Sequence, residues 1–356
     1  MVDPNSISQT SRDQLLKWFD THQRNLPWRE SKDPYLIWLS EIILQQTRIE
    51  QGTSYFHAFK DQFANIHALA NAEEDEVLKL WQGLGYYSRA RNLHATAKTV
   101  AFELNGKFPE THESLLRLKG VGPYTAAAIG SIAFDLPVAA IDGNVIRVIT
   151  RLFNIQESVD ATPTKKSIHA LANGIIRHDR PGDWNQAMME LGSLICTPTK
   201  PNCTECPFKN DCAGLRLGTK DTIPFKERKT KTKNRHFHFI VLSDKEGTYI
   251  EKRIGNDIWK GMYQFPLIET DKPTEMSSAD IEAHIKTPIV LHRVNQAKKH
   301  ILSHQIIFAT FYHAQPVNAV KQNWLSIEWG DFDQYALPRL IDRYLESYNF
   351  DGRLKR

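Results

Sequence analysis

The sequence predicts two domains of different class, an all-α domain followed by an α+β domain. Three observations carry this. Up to about residue 217, apolar residues recur three and four apart in helical segments separated by short Gly, Pro and Asn breaks. The stretch KERKTKTKNR, from Lys226 to Arg235, then holds six positive charges and one negative. It reads as a solvated linker, with a phosphate-contacting strap as the open alternative. Beyond it the texture changes to the alternation of strands.

Taken in order, DQLLKWFDTH, YLIWLSEIILQQTRIEQ, EDEVLKLWQGLG, ARNLHATAKTVAFEL, ESLLRLKG, YTAAAIGSIAF and NQAMMELGSLIC each place an apolar stripe at helical spacing. In the second part, HFHFIVLSD and GTYIEKRI alternate, and HQIIFATFYHA is rich in β-branched and aromatic residues, so these are strands. SADIEAHI and LPRLIDRYLESY carry helical spacing, which makes the second domain α+β. The expected boundaries are 1–217 for the helical domain, 218–233 for the linker and 234–350 for the second domain.

The 356 residues, 41% hydrophobic, are enough for two cores. The start MVDPNSISQTSRDQ lacks the basic-then-apolar plan of a signal peptide, and no apolar run approaches the roughly 20 residues that cross a bilayer. A cytoplasmic protein without membrane contact is expected. The net charge of +4 is too small to announce a nucleic-acid binder. Its distribution is more telling, because residues 1–220 hold 24 basic and 24 acidic side chains and the excess lies beyond them.

All four cysteines fall in CTPTKPNCTECPFKNDC, as Cys196, Cys203, Cys206 and Cys212. In a reducing compartment such a group ligates metal rather than forming disulfides. Zinc and an iron–sulfur cluster are both candidates. Zinc ribbons offer two separated C-x2-C knuckles, and one short loop with a single close pair favours a cubane cluster. This loop, following the helix NQAMMELGSLIC, resembles the cluster loop of the helix-hairpin-helix DNA glycosylases of the endonuclease III superfamily. That resemblance implies a 4Fe-4S cluster held by residues 196–212.

LKGVGPYTAAAIGSIAF has the form of a hairpin. Gly120 and Gly122 permit a tight turn, and a helix starting near Pro123 points unpaired N–H groups outward, where a phosphate would bind without sequence reading. DGNVIRV follows. Cleaving a base from its sugar needs protonation of the leaving base and negative charge beside the cationic sugar, which two carboxylates in different environments supply. Asp142 fits the second role, and a helix cap is its alternative. Glu41 lies in the apolar segment PYLIWLSEIILQQT, with Trp38, Gln45 and Arg48 at helical spacing. Desolvation would keep it neutral, at roughly 3 kcal/mol for a rise from about 4.3 to about 6.5. A buried salt bridge with Arg29 or Arg48 is the competing reading.

LPWR, SEIILQQTR, GLGYYSRARN, GVGPYTAAAI and DGNVIRV, in that order ahead of the cysteine loop, resemble the adenine DNA glycosylases of the MutY type over nearly the whole chain. The resemblance implies that Glu41 protonates adenine at N7. Asp142 then stabilises or captures the sugar cation, with Tyr124 and Asn144 in support. Strand-cutting relatives have a Lys where this chain has Tyr124, so a hydrolysis that leaves an abasic site is implied, without strand cleavage. Base flipping is needed to reach the adenine. Gln46 and Tyr86 match residues that insert beside the orphaned base, with Leu84 close by, and Arg29 matches a DNA-contacting position.

WKGMYQFPLIE resembles the MutT-like (Nudix) C-terminal domain of the same family. The acidic REx2EE helix of the nucleotide hydrolases is missing, so this domain is expected to bind 8-oxoguanine opposite the adenine rather than hydrolyse nucleotides. The family's Phe-Ser-His loop appears as Leu302, Ser303 and His304, which preserves the polar pair without the aromatic ring. The expected partner is double-stranded DNA with adenine opposite 8-oxoguanine or guanine, bound by a monomer working at the nucleoid. A pyrimidine-directed mismatch glycosylase, a non-catalytic lesion binder and a nucleotide hydrolase are the rival readings.

Overall fold

The computed structural model describes residues 3–227, 232–244, 246–320 and 322–347. Residues 228–231, the middle of the basic stretch, lie outside the described residues. The chain divides into two compact units, Met1–Asn71 with Asn92–Arg228, and Ala72–Arg91 with Lys229–Arg356.

The helices in chain order are α1 (Gln9–His22), α2 (Pro34–Leu44), α3 (Ile49–Gln62), α4 (Ile66–Asn71), α5 (Glu74–Leu80), α6 (Ser88–Lys98), α7 (His112–Leu115), α8 (Pro123–Phe134), α9 (Gly143–Leu152), α10 (Thr162–Ile175), α11 (Pro181–Leu194) and α12 (Ala213–Arg216). Helices α13 (Ser278–Ile285) and α14 (Arg339–Ser347) belong to the second unit. Their starts are set by local chemistry. Ser8 caps α1 by accepting from the Ser11 amide, and Asp33 caps α2 with Pro34 at its first position.

The expected helix across residues 35–51 is two helices. Gln45 leaves helical geometry, Gln46 turns left-handed at φ 57°, and Arg48 caps α3. Gln45 and Arg48 therefore do not continue the stripe of Trp38 and Glu41. ESLLRLKG forms only the single turn of α7, because the chain must bend at once into the glycine hairpin.

In the first unit, Leu15, Phe19, Val148, Ile149, Leu152, Ile168, Leu171, Trp184, Met188 and Leu191 join α1, α9, α10 and α11 in one core. Each such fully buried side chain contributes about 1.5–3 kcal/mol. Cys196, Cys206 and Cys212, partly buried, pack against it.

The second unit holds strands β1 (Lys233–Leu242), β2 (Gly247–Lys252), β3 (Tyr263–Gln264), β4 (Leu267–Thr270), β5 (Ile289–Ile301), β6 (Gln305–Pro316) and β7 (Leu325–Glu328). One sheet runs β4-β1-β6-β5, with β1 and β6 parallel from Lys233 opposite Gln305 to Leu242 opposite Ala314. The other runs β3-β2-β7. β1 is buried on both faces. Phe239 stacks on Phe311, which stacks on Tyr344 of α14, while Ile240 and Leu242 pack with Ile281 and Ile285 of α13. β5 is an edge strand whose two register shifts and polar residues hid its alternation from the sequence pattern. Among the described residues, no helix is long and apolar enough to cross a membrane.

Candidate active site

The first unit contains a pocket of about 230 Å3 lined by Glu41, Tyr124, Asp142, Asn144 and Arg29, with Arg24, Trp28, Gln186, Met189 and Glu190. That volume is below the ~300–1,000 Å3 of sites for drug-sized ligands. It suits a single heterocyclic base.

Glu41 comes from the last turns of α2, where apolar neighbours such as Ile37, Ile42 and Ile43 are buried. The residue is itself only 8% exposed. Burial pushes its carboxyl up to about 7, the charge of Asp142 adds to this, and Tyr124 and Arg29 oppose it. The salt-bridge alternative is answered by where the arginines go. Arg29 pairs with Glu190 at 3.0 Å, and Arg48 is exposed at the start of α3. Tyr124, on the first turn of α8, points its hydroxyl at the Met189 sulfur at 3.3 Å. Burial and the nearby charges of Glu41 and Asp142 hold that phenol well above its ordinary range, so it stays protonated.

Asp142 is both a pocket wall and the N-cap of α9. One carboxylate oxygen accepts from the Val145 amide at 2.8 Å and the other from the Asn144 side-chain amide at 2.8 Å. The cap and the functional reading are thus compatible, since the cap fixes the carboxylate where the pocket needs it. Asn144 is held in turn by Arg147, which donates to its carbonyl at 2.9 Å, to the Gly192 carbonyl at 2.6 Å and to the Cys196 carbonyl at 2.7 Å. One helical turn on, Arg151 donates to the Thr197 carbonyl at 2.7 Å and the Pro198 carbonyl at 3.1 Å.

The four cysteines ring one cavity together with Arg151, Lys209 and Lys220. Burial and the neighbouring thiols push the Cys206 thiol up to about 12. Without a metal these thiols stay protonated, and their convergence on one cavity is what a thiolate-bound inorganic centre would use. Zinc and an iron–sulfur cluster both take four such thiolate donors. Four cysteines around one cavity fit a thiolate-bound metal centre.

At the hairpin, Gly120 has φ 78°, and a Cβ there would lie 2.7 Å from Asn92 Cβ. Gly122 caps α8, and a Cβ there would meet nothing within 4 Å. Gly122 brings no side chain to cap the first turn of α8.

In the second unit, Leu84, Tyr86, Trp259, Leu302, Ser303 and His304 line one concavity. The Tyr86 hydroxyl hydrogen-bonds the Ser303 hydroxyl. Leu84 is buried, while Tyr86 is 48% exposed at φ 48°. Gln46 is exposed in the α2–α3 turn and lines neither pocket. Both Tyr86 and Gln46 hold left-handed backbone, a strained state for such side chains that clusters at functional sites. Ser303 and His304 occupy the tight β5–β6 turn, closed by the Leu302 amide on the Gln305 carbonyl at 2.8 Å.

Sequence reasoning missed Arg24, Gln186, Met189, Glu190, Arg147 and Arg151. Gln186, Met189, Glu190 and Ser193 fall at helical spacing on α11 and all line the pocket. The available signal was an acid, Glu190, set between Met188, Met189 and Leu191 on a helix whose other acid, Asp183, lies in its first turn.

Residues 39–177 match the family model of the HhH-GPD superfamily base excision DNA repair proteins, and residues 237–347 match a NUDIX domain. An adenine DNA glycosylase of Buchnera aphidicola subsp. Schizaphis graminum is 31% identical over 341 residues, 94% of this chain and 97% of the relative. The mouse adenine DNA glycosylase is 42% identical over 210 residues, 56% of this chain and 41% of that relative's length. A solved thermostable thymine-DNA glycosylase shares 27% identity and a TM-score of 0.53, over 58% of this chain and 95% of its own. The motif order, the carboxylate pocket and these matches lead to one conclusion: the chain belongs to the adenine DNA glycosylase family, base-excision repair enzymes that hydrolyse N-glycosyl bonds, here with a NUDIX domain behind the helix-hairpin-helix region.

Proposed function

We propose that this enzyme removes adenine paired with 8-oxoguanine, and with guanine, by hydrolysis without strand cleavage. The observation that carries the reading is the convergence of Glu41, Tyr124, Asp142 and Asn144 on one base-sized pocket. Glu41 is the acid, protonating N7 of the flipped adenine as the glycosidic bond breaks. General acid catalysis of this kind contributes about 10²–10⁴-fold. Asp142, with both oxygens fixed, faces the sugar cation that remains, and Asn144 holds it there. In this reading Tyr124 stands where strand-cutting relatives carry the attacking lysine, and water completes the reaction.

Cys196, Cys203, Cys206 and Cys212 would hold a 4Fe-4S cluster that cross-links the 196–212 loop. Gly120 and Gly122 receive a phosphate. Gln46 and Tyr86 enter the stack at the vacated position, beside Leu84, and Ser303 and His304 read the lesion base. The division into a glycosylase domain at 1–217, a linker at 218–233 and a lesion-reading domain at 234–350 belongs to the same proposal. So does a monomer acting on chromosomal DNA in the cytoplasm. A pyrimidine-directed reading draws on the thymine-DNA glycosylase of similar fold.

Single-turnover release from duplexes that differ only in the excised base and its opposing base separates these readings. Adenine release that is faster opposite 8-oxoguanine than opposite cytosine is expected, with that preference reduced in Ser303→Ala/His304→Ala. Preferred release of thymine or uracil would refute the reading.

A further inference from the structure

Glu190 is a third carboxylate in the pocket, only 1% exposed, and both of its oxygens are occupied. Oε1 accepts from the Arg24 amide at 2.9 Å and Arg24 Nε at 2.8 Å. Oε2 accepts from Arg24 Nη2 at 2.8 Å and Arg29 Nη2 at 3.0 Å. A carboxylate filled by four donors has no free lone pair with which to carry a proton. Burial opposes its charge most strongly, yet the two arginines bring its pKa down to about 2.

Arg29 is fixed at every nitrogen. Nε donates to Gln186 Oε1 at 2.9 Å, Nη1 to the Arg24 carbonyl at 2.9 Å and Nη2 to Glu190, and the guanidinium lies 5.3 Å from the centroid of the Phe19 ring. Locked in this way, it acts on Glu41 through space, in the direction that favours the carboxylate. Unopposed, Arg29 and Arg24 would strip the proton that the acid step needs. The charged or titratable side chains lining the pocket are two cations, Arg24 and Arg29, and three carboxyls, Glu41, Asp142 and Glu190, with the Tyr124 phenol near enough to feel both Glu41 and Asp142. With Glu41 neutral, two cations meet two anions and the pocket is balanced. Take away the charge of Glu190 and the pocket is one positive charge in excess, which ionisation of Glu41 would cancel.

We infer that Glu190 is a positioning residue for the acid step: it anchors Arg29 and Arg24 and offsets their charge, so that Glu41 remains protonated among cations. The inference rests on the reading of Glu41 as the acid and adds to it a residue that never touches the substrate's reacting atoms.

The test is the pH profile of single-turnover adenine release by the full-length protein. Glu190→Gln keeps the shape and removes the charge. The basic limb of the profile is expected to move down by about one pH unit, which makes release about tenfold slower on the alkaline side. Glu190→Asp, which restores the charge, is expected to return the limb toward its original position. Arg24→Gln removes a cation from the same group and must move the limb the other way, to higher pH. This opposite-signed arm still decides the matter if Glu190→Gln does not fold. A rate that falls equally at all pH values in Glu190→Gln and Arg24→Gln, with both limbs unmoved, would reduce Glu190 to a structural ion pair and overturn the inference. The reading beneath it fails separately. If Glu41→Gln released adenine at near the wild-type rate with an unchanged limb, Glu41 would not be the acid. If Glu41→Gln is inactive and the limbs of the other variants stay put, only the inference about Glu190 is lost.

Discussion

Replacing Glu41 by Gln should abolish adenine release and, in the same molecule, stabilise the fold at neutral and alkaline pH. Burial pushes the wild-type carboxyl up to about 7 when folded, against an ordinary value of 4.5. Between those values the folded chain binds a proton that the unfolded chain has released, so stability falls as pH rises through this window. At about 1.36 kcal/mol per pKa unit, the penalty is under about 1 kcal/mol near pH 5 and about 3 kcal/mol above pH 7. Gln fills nearly the same volume and never ionises, so it escapes the penalty. Urea or thermal denaturation of both proteins from pH 5 to pH 8.5, alongside single-turnover assays, measures the two effects together. The expected result is an inactive variant whose advantage in stability grows with pH and levels off above pH 7. The wild-type rate falls tenfold per unit on the same alkaline side. A variant no more stable than wild type at pH 8, or a wild-type rate that is flat from pH 6 to pH 9, would refute the account of Glu41 as a desolvated acid.

Asp142 separates its two jobs by choice of substituent. Asp142→Asn retains an N-cap acceptor and should lose adenine release with little change in stability, whereas Asp142→Ala should also cost about 1 kcal/mol, read from denaturation midpoints. Tyr124→Lys places an amine in the pocket that Glu41 and Asp142 line, and borohydride should then trap a covalent complex with abasic DNA that wild type does not form to a comparable extent. Cys206→Ser should lose the iron content and visible absorption of a cluster and bind duplex more weakly, as seen by metal analysis and by anisotropy with labelled DNA.

Helices α1 and α14, which bury one apolar face, were legible from spacing, whereas α8 and α11, buried over most of their surface, and the strands β1 and β6 were legible from apolar, β-branched and aromatic runs between turn signals. The break after Leu44 was not. Its cause is the left-handed Gln46, and nothing in QQTR demands positive φ. β5 hid itself for a different reason, since an edge strand with bulges has a solvated side that tolerates Arg293, Lys298 and Lys299 where alternation would show. In the pocket, Glu41 and Asp142 stood out as acids in motifs that chemistry could interpret. Glu190 carries the same charge but acts through Arg24 and Arg29, which lie some 160 residues away along the chain. Partnerships over that distance become visible only when the helices are packed.

α9 is a ruler of fixed length. Its ten residues span about 15 Å, with Asp142 at one end and the two arginines that grip the carbonyls of Cys196, Thr197 and Pro198 on its later turns. One residue more or less would swing the carboxylate by about 100° about the helix axis relative to Arg147 and Arg151. No register would then satisfy the pocket and the cysteine loop together. Among naturally varying forms of this enzyme, insertions and deletions should therefore avoid residues 142–151 entirely and collect in the turns on either side.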